Sequence, residues 1–466
     1  MSPLITALFV VGFSFRLVSA DLSSGLNGVG VYAVFPGNSN YANASRPFNL
    51  RFTLEPAAVA YPTTPDEVSS IVQVGVANNL KLSPIDSSAN TAVIETGNRL
   101  GDVALALNAA GRALPHGTCA YVGVGGHSAF GGYGLTSRLW GLALDPIFAI
   151  NAVLANGTIV RVTEDSYPDI FWALLHHSQS PHLIEVNTFS APSYAIVMEY
   201  SWSSVDYELA GRYLYLFQNF SLSGPASALA GEIVLTRGSE EDQVTFALTV
   251  AWYGDQDSAN STIQPFLDVM PTPSSIQIVG NGSYIDSVSV LAGTTLNTSE
   301  APDVTDTFYA KSIMTPESEP MTLEACTSFM QYLATEGFTS NTSWFIEIEL
   351  YGGPNSKIRD IPNNATAFSR RDTLFTFQLY ASSSNNLPPY PADGFNFLDG
   401  MVNSVTSRMP ETWNYGAYTN YLDDELENSA FSGKTLYFND NYHRLKSIKE
   451  QVDPTDTFWF PTSIEE

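Results

Sequence analysis

Basic residues are scarce in this sequence. The 466 residues include 20 lysines and arginines against 47 aspartates and glutamates, which gives a formal net charge of −27 at pH 7. Such a charge repels phosphate backbones and anionic membrane surfaces, so we expect neither a nucleic-acid nor a membrane partner. An uncharged substrate fits this charge better.

Cysteine is also rare, and Cys119 and Cys326 are its two copies. Secreted proteins often carry several disulfides, so a count of two leaves two interpretations open. Either the pair forms one Cys119–Cys326 bridge, or Cys119 has a chemical role of its own in the glycine-rich segment around it.

Long apolar runs are missing after the first twenty residues, because no later stretch approaches the roughly 18 apolar residues that span a bilayer. Residues 1–20 are largely apolar and end in Val18-Ser19-Ala20, where a signal peptidase reads small side chains. We therefore predict a signal peptide over residues 1–20, cleavage after Ala20 and a secreted, extracellular protein.

Eight Asn-x-Ser/Thr acceptor sites agree with export and predict a glycoprotein. Chance supplies some of them in a chain rich in these residue types, so they support the prediction without carrying it. Their asparagines are Asn43, Asn156, Asn219, Asn260, Asn281, Asn297, Asn341 and Asn364.

The first part of the mature chain alternates helices with short strands. Residues 64–67 read TPDE, a capping box with proline at the first helical position, and apolar residues follow at helical spacing. Short strands are predicted at residues 80–82 and 91–96, and a second helix near residues 100–107 ends at Gly111. This alternation indicates an α+β or an α/β layer.

Beyond Pro192 the pattern changes to longer strands with alternating polarity. Residues 244–252, 344–351 and 374–380 are examples, and they predict a second domain built on an antiparallel sheet. From about residue 420 the chain returns to a helix that we expect to rejoin the first domain. The fold class predicted from these patterns is α+β.

Glycines are concentrated in one segment, residues 116–134, which read HGTCAYVGVGGHSAFGGYG. Glycine lets a backbone approach a ligand closely and expose successive N–H groups. In a protein this acidic, such donors can hold an anionic cofactor without lysine or arginine. The alternative is a surface turn that is merely rich in glycine.

This segment resembles the flavin-binding motif of FAD-linked oxidases in the vanillyl-alcohol oxidase superfamily. Within it, the chain is most similar to the berberine-bridge-enzyme-like group, in particular the glucooligosaccharide and chitooligosaccharide oxidases. YPTTPDEV at 61–68, PDIFWAL at 168–174 and NYHRL at 441–445 agree with that family. The resemblance implies a two-domain FAD-binding (PCMH-type) fold, with an FAD domain from residues 21–195 and 420–466 and a substrate domain from residues 196–419.

The resemblance also assigns the cofactor site. The family carries a cysteine at the position of Cys119, bonded through sulfur to the flavin, so Cys119 is implied as a covalent FAD anchor. Neighbouring N–H donors or the flavin itself would favour its thiolate over the free-thiol pKa of about 8.5. The implied neighbours of the cofactor are Thr118, Gly123, Gly125, Gly126 and His127.

A substrate wall is predicted on the strand at residues 344–351. Alternation places its aliphatic side chains on the core face and Glu347 and Glu349 on the other. By resemblance, Glu347, Glu349 and Gln378 line an oligosaccharide groove, although the family carries an amide and an aspartate at the first two positions. An ordinary solvated face is one alternative. A glycosidase carboxylate pair is disfavoured, because residues two apart on a strand project the same way.

The segment YTNYLD at residues 418–423 matches the family's Asn-Tyr-x-Asp motif, whose tyrosine faces the flavin. This implies Tyr421 as the general base that takes a proton from the anomeric hydroxyl while hydride leaves for the flavin, giving a lactone and, with O2, hydrogen peroxide. Glu349 would accept that proton onward, and its charge would raise the phenol's pKa. A half-buried structural tyrosine is the alternative.

Two segments depart from the family pattern. After residues 80–82 the family has a Gly-Gly-His-Ser loop with a second covalent flavin anchor, and here SPID at 83–86 follows at once. After residues 171–174 its glycines are replaced by a stretch with three histidines, His176, His177 and His182, for which we predict no metal site because no acidic partner lies beside them. These departures leave open a flavin-deficient, non-catalytic glycoprotein on the same scaffold.

Overall fold

The computed structural model describes residues 19–53, 55–77, 91–175, 181–299, 305–426, 432–458 and 464. The predicted leader, except for its last two residues, lies outside these ranges, as do the predicted strand at 80–82, the departure at 83–86, His176 and His177. No helix within the described ranges is long and apolar enough to cross a membrane.

The first part of the chain consists of short helices and strands. Its helices are α1 (Ser19–Gly28), α2 (Tyr41–Ala44), α3 (Pro65–Ala77), α4 (Leu100–Ala109), α5 (Val124–Ala129), α6 (Ser137–Trp140) and α7 (Pro168–Leu174). Its strands are β1 (Ala33–Val34), β2 (Val59–Ala60), β3 (Ala92–Glu95), β4 (Arg112–Ala113), β5 (Ile147–Val153), β6 (Ile159–Val162), β7 (Pro181–Val186) and β8 (Phe189–Ser190). An antiparallel sheet in the order β3-β7-β5-β6 forms its centre.

Local sequence signals account for the two helices predicted in this part. The Thr64 hydroxyl accepts a hydrogen bond from the Glu67 N–H at 3.1 Å and caps α3, which begins at Pro65 as predicted. Helix α4 ends just before Gly111, whose φ of 68° lies in the left-handed region that glycine adopts without strain.

The second part is built on one seven-stranded antiparallel sheet in the order β12-β9-β11-β10-β14-β15-β13. Its strands are β9 (Ala195–Asp206), β10 (Leu229–Arg237), β11 (Gln243–Trp252), β12 (Ser275–Gly282), β13 (Phe308–Pro316), β14 (Thr342–Leu350) and β15 (Thr373–Ser383). Its helices are α8 (Tyr207–Leu222), α9 (Ala259–Leu267), α10 (Tyr284–Ala292), α11 (Leu323–Thr339) and α12 (Asp393–Thr406). The three predicted strands and the α+β class are confirmed.

The two faces of this sheet have different partners. On one face, Ile346, Ile348 and their neighbours are fully buried in a large core with α8, α11 and α12. On the other face, small side chains such as Ala230 and Ala251 pack against the first part of the chain. The alternation seen in the sequence therefore separates a core face from a face that meets the glycine-rich segment.

The C-terminal helices α13 (Ser432–Phe438) and α14 (Tyr442–Val452) return to the first part of the chain. They share an apolar cluster with Trp172 of α7, and the Arg444 guanidinium lies 4.0 Å from the centre of the Trp172 ring. This return brings residues 418–423 between the sheet and the glycine-rich segment.

A buried arginine joins the two parts. Arg138 of α6 is fully buried and donates hydrogen bonds to the backbone carbonyls of Gly352, Ala226, Pro225 and Leu229, all in the second part. Leu229 begins β10, and the other three carbonyls lie in the connections beside β10 and β14, so Arg138 fixes the position of these strands relative to the first part.

Candidate active site

Three pieces of the chain meet at the candidate site. They are the glycine-rich loop (residues 116–134), the face of β10, β14 and β15 turned away from the helices, and the tyrosine segment (residues 418–423). The Asn420 side-chain amide donates to the carbonyl of His127 at 3.1 Å and so ties the tyrosine segment to the loop. The Tyr418 hydroxyl accepts from the N–H groups of Gly132 and Tyr133, both at 3.0 Å.

His127 shapes the loop from inside. Its buried imidazole accepts a hydrogen bond through Nε2 from the Gly117 N–H at 3.0 Å. Burial lowers the pKa of His127 to about 3, and the nearby His116 acts in the same direction. The ring is therefore neutral at physiological pH, and its described contact supports the loop backbone.

The predicted cofactor glycines divide into one that packs inward and two that open outward. A Cβ on Gly125 would lie 2.8 Å from the Thr96 Cβ, so only glycine fits this approach, and its N–H donates to the Thr96 carbonyl at 3.0 Å. A Cβ on Gly123 or Gly126 would meet nothing within 4 Å. Bare backbone thus faces open space at the start of α5, four residues after Cys119 in the same loop.

Cys119 is exposed, and its thiol is free. Cys326 is buried in α11 within the core of the second part, and it is also free, so the Cys119–Cys326 bridge is not formed. The protein atoms around Cys119 raise the pKa of its thiol by desolvation, and Glu347 raises it further, while the Thr118 hydroxyl lowers it by less. The expectation that local donors favour the thiolate is therefore wrong for the protein without flavin.

Tyr421 and Glu349 are in direct contact, as the sequence predicted. The Tyr421 hydroxyl donates to Glu349 Oε1 at 2.6 Å. Burial, followed by the charge of Glu349, raises the pKa of the Tyr421 phenol well above its usual value. Burial also raises the pKa of Glu349, and Glu232 adds to that rise. Both shifts make the proton between the two groups difficult to remove.

Glu232 is a site residue that sequence reasoning missed. Carboxylate oxygens of Glu232, Glu347 and Glu349 all lie within 4.8 Å of one another. Glu232 of β10 faces Glu349 of β14 directly across the sheet. Its signal was present as one acid in an otherwise apolar strand, but nothing in the sequence paired that strand with β14. We call these three residues the carboxyl cluster.

The remaining predicted substrate residue, Gln378, lies on the neighbouring strand β15 and is directly opposite Glu347. Thr376 is opposite Glu349 on the same pair of strands. Farther along this face, the rings of Phe345, Tyr380 and Phe308 stack in turn, with centroids 4.7 and 4.6 Å apart. The face thus combines acids, an amide and aromatic rings, the composition of a polar ligand site.

Two family patterns match the chain. Residues 417–465 match the family described as berberine and berberine like, and residues 81–163 match an FAD binding domain. A chitooligosaccharide oxidase from Gibberella zeae is 31% identical, with 92% of this chain and 91% of that protein aligned. The chain belongs to the berberine-bridge-like family of FAD-linked oxidases. A xylooligosaccharide oxidase from Thermothelomyces thermophilus is also 31% identical, over 92% of this chain and 91% of that protein.

Solved structures agree with this assignment. A chitooligosaccharide oxidase structure matches with a TM-score of 0.86 and 28% identity, covering 96% of this chain and 99% of that one. A glucooligosaccharide oxidase from Acremonium strictum matches with a TM-score of 0.85 and 27% identity, covering 96% and 99% of the two chains, and it is described as carrying a 6-S-cysteinyl, 8α-N1-histidyl FAD. The PCMH-type FAD-binding fold is thereby confirmed, and the cofactor of this oxidase is FAD.

The residues of the site fit this cofactor. The outward-facing backbone at Gly123 and Gly126 leaves room for a group that no Cβ intrudes upon. Cys119 is exposed on the same loop, and Tyr421 is tied to that loop through Asn420. A flat ring held by the loop would therefore lie beside the catalytic pair that the sequence predicted.

The carboxyl cluster makes stability depend on pH. Burial and Glu347 raise the pKa of Glu232 to about 8, so the folded protein keeps a proton that the unfolded chain has released. The free energy of unfolding should therefore fall as the pH rises from about 4.5 to about 8. In Glu232→Gln this fall should be smaller by about 2 kcal/mol between pH 5 and pH 8.

Urea unfolding followed by tryptophan fluorescence at the two pH values measures this difference. Glu411→Gln is the control, because Glu411 is exposed and lies outside the cluster. A pH dependence in Glu232→Gln equal to that of the unchanged protein would show that Glu232 does not hold the proton.

Proposed function

We propose that this protein is an FAD-dependent oxidase that converts the anomeric hydroxyl of an oligosaccharide to a lactone and reduces O2 to hydrogen peroxide. The observation that carries the proposal is the 2.6 Å contact between the Tyr421 hydroxyl and Glu349 beside the glycine-rich loop. The related oxidases named for chito-, xylo- and gluco-oligosaccharides support the substrate class.

Cys119 is the proposed covalent anchor of FAD, and the backbone around Thr118, Gly123, Gly125 and Gly126 forms the surface that receives it. His127 supports that surface from below through its bond to Gly117. When bound, FAD accepts the hydride from the sugar carbon and passes the electron pair to O2. The chain itself must place the sugar and remove the proton of its hydroxyl.

Tyr421 and Glu349 form the proposed path for that proton. The sugar hydroxyl gives its proton to the Tyr421 oxygen, while Tyr421 passes its own proton to Glu349 Oε1 along the existing hydrogen bond. A phenol with a raised pKa is difficult to ionise, but the concerted transfer avoids a free phenolate. The step requires Glu349 to be ionised. Its raised pKa makes the ionised carboxylate a strong proton acceptor but favours the protonated form, so a nearby positive charge would assist the transfer.

The substrate lies on the sheet face, by this proposal. Glu347 and Gln378 face each other across β14 and β15 and offer hydrogen bonds to sugar hydroxyls. A glycosidase does not fit, because Glu347 and Glu349 project from one side of one strand and do not flank a sugar. The flavin-deficient alternative is not favoured either, since the proton path and the exposed thiol are both in place.

We also propose that the protein is exported through a signal peptide and is N-glycosylated outside the cell. All eight acceptor asparagines lie at exposed positions, which supports this. Protein secreted by a eukaryotic host should lose mass on enzymatic removal of N-glycans, as measured by mass spectrometry of the intact chain. Protein that stays inside the cells without glycans would contradict the proposal.

Cys119→Ala tests the covalent anchor. We expect the purified protein to be yellow and to keep its colour on the polypeptide after acid denaturation, whereas Cys119→Ala should release its flavin into the acid supernatant. Visible absorption of both fractions measures this. Cys326→Ala is the matched control and should retain the flavin, because Cys326 lies in the distant core. Retention of flavin by Cys119→Ala would contradict the anchor.

Tyr421→Phe tests the proton path. Loss of a general base typically lowers the rate by about 10²–10⁴-fold. We expect a fall of this size in the rate at which a cello-, malto- or chito-oligosaccharide bleaches the flavin under anaerobic conditions, without loss of flavin. Tyr332→Phe is the control, since its hydroxyl bonds the Phe397 carbonyl on the helical side of the sheet. An unchanged bleaching rate in Tyr421→Phe would exclude it as the base.

A further inference from the structure

Among the described residues, the carboxyl cluster has no ion-pair partner. The oxygens of Glu232, Glu347 and Glu349 lie within 4.8 Å of one another. Within the part of the chain that the structure describes, no lysine, arginine or histidine forms an ion pair with any of the three. Three carboxyl groups at this spacing, one buried and two half-buried, cannot all ionise unless a cation joins them.

Two buried oxygens, one in the cluster and one next to it, also indicate that a hydrogen-bond donor binds here. Glu349 Oε2 and the Thr376 hydroxyl have no hydrogen-bond partner among the described residues, and the Thr376 side chain is fully buried. The two residues face each other across β14 and β15. Glu232 and Glu347 are only half-buried, so a ligand can reach the cluster. Unpaired buried acceptors of this kind need donors.

We propose that the preferred substrate is a reducing oligosaccharide whose terminal sugar carries a free amine on carbon 2. This inference rests on the proposed function, because the proposed function places carbon 1 of the sugar at Tyr421. The substituent on carbon 2 then lies next to the reacting hydroxyl, and therefore next to Glu349 and the rest of the cluster. An ammonium group brings one positive charge and three N–H donors, which the acceptors there lack.

The cation would also assist the proton path. A positive charge beside a carboxyl group favours its ionised form, so the ammonium leaves Glu349 free to take the proton of Tyr421. It likewise opposes the negative charge that makes the Tyr421 phenol difficult to ionise. The amine takes no part in the redox step: the C1–H bond gives its electron pair and proton to FAD, the hydroxyl proton goes to Tyr421, and a 2-amino lactone forms. Dioxygen then receives the electron pair and two protons.

The net charge of the protein acts in the same direction. A net charge of −27 attracts a cationic oligosaccharide at distances shorter than the Debye length, beyond which dissolved salt screens the charges. The expectation of an uncharged substrate, drawn from the sequence, did not include a carboxyl cluster inside the site. An N-acetylated or hydroxylated carbon 2 offers no positive charge and does not balance this cluster.

Peroxide release tests the proposal with three oligosaccharides of equal length: deacetylated chito-oligosaccharide, its N-acetylated form, and a cello-oligosaccharide. At about pH 6 an amine of ordinary pKa is charged. We expect kcat/KM to be at least about tenfold higher for the deacetylated form than for the other two. In Glu347→Gln this ratio should fall toward one, whereas the exposed Glu411→Gln control should keep it.

A binding measurement separates this proposal from the proposed function. Calorimetry with the Tyr421→Phe variant should show tighter binding of the deacetylated oligosaccharide, and Glu347→Gln in that background should remove the preference. Equal or tighter binding of the neutral sugars overturns the amine proposal but leaves the oxidase intact. A flavin-free protein that binds no sugar overturns both. A chelator that abolishes activity, with activity restored by Ca2+ or Mg2+, would assign the cluster to a metal ion and so overturn the amine proposal.

Discussion

The hydrogen bond between Tyr421 and Glu349 is the interaction on which the site depends. It requires that a segment near residue 420 reach a strand more than seventy residues earlier in the chain, where Glu349 is buried and Tyr421 is half-buried. Asn420 and Tyr418 make this possible because they fasten the tyrosine segment to the backbone of the glycine-rich loop. The contact therefore also sets the distance between the Tyr421–Glu349 pair and the glycine-rich loop.

Sequence reasoning predicted those features that depend on local pattern or on a family motif. Alternation along residues 344–351 separated Ile346 and Ile348 from Glu347 and Glu349, and the structure has the same two faces. It could not find Glu232, because its place depends on the register between β10 and β14, about a hundred residues apart in the chain. Long-range pairing leaves no trace in either strand's own sequence.

Protonation states were the least predictable part of the site. The Cys119 thiolate was expected to be favoured by neighbouring N–H groups or by the flavin, but in the protein without flavin desolvation and the charge of Glu347 raise the pKa of the thiol. These effects arise from groups that only the fold brings together. For the same reason, the sequence could not show that the His127 imidazole accepts a hydrogen bond from the Gly117 N–H and so supports the loop from inside.

Arg138 has a consequence for the way in which a sugar enters and leaves. Its guanidinium holds four carbonyls of the second part while its backbone belongs to the first. A clamshell motion of the two parts would strip these carbonyls of their donor in a dry interior. A sugar therefore reaches and leaves the site without the two parts swinging apart at this contact.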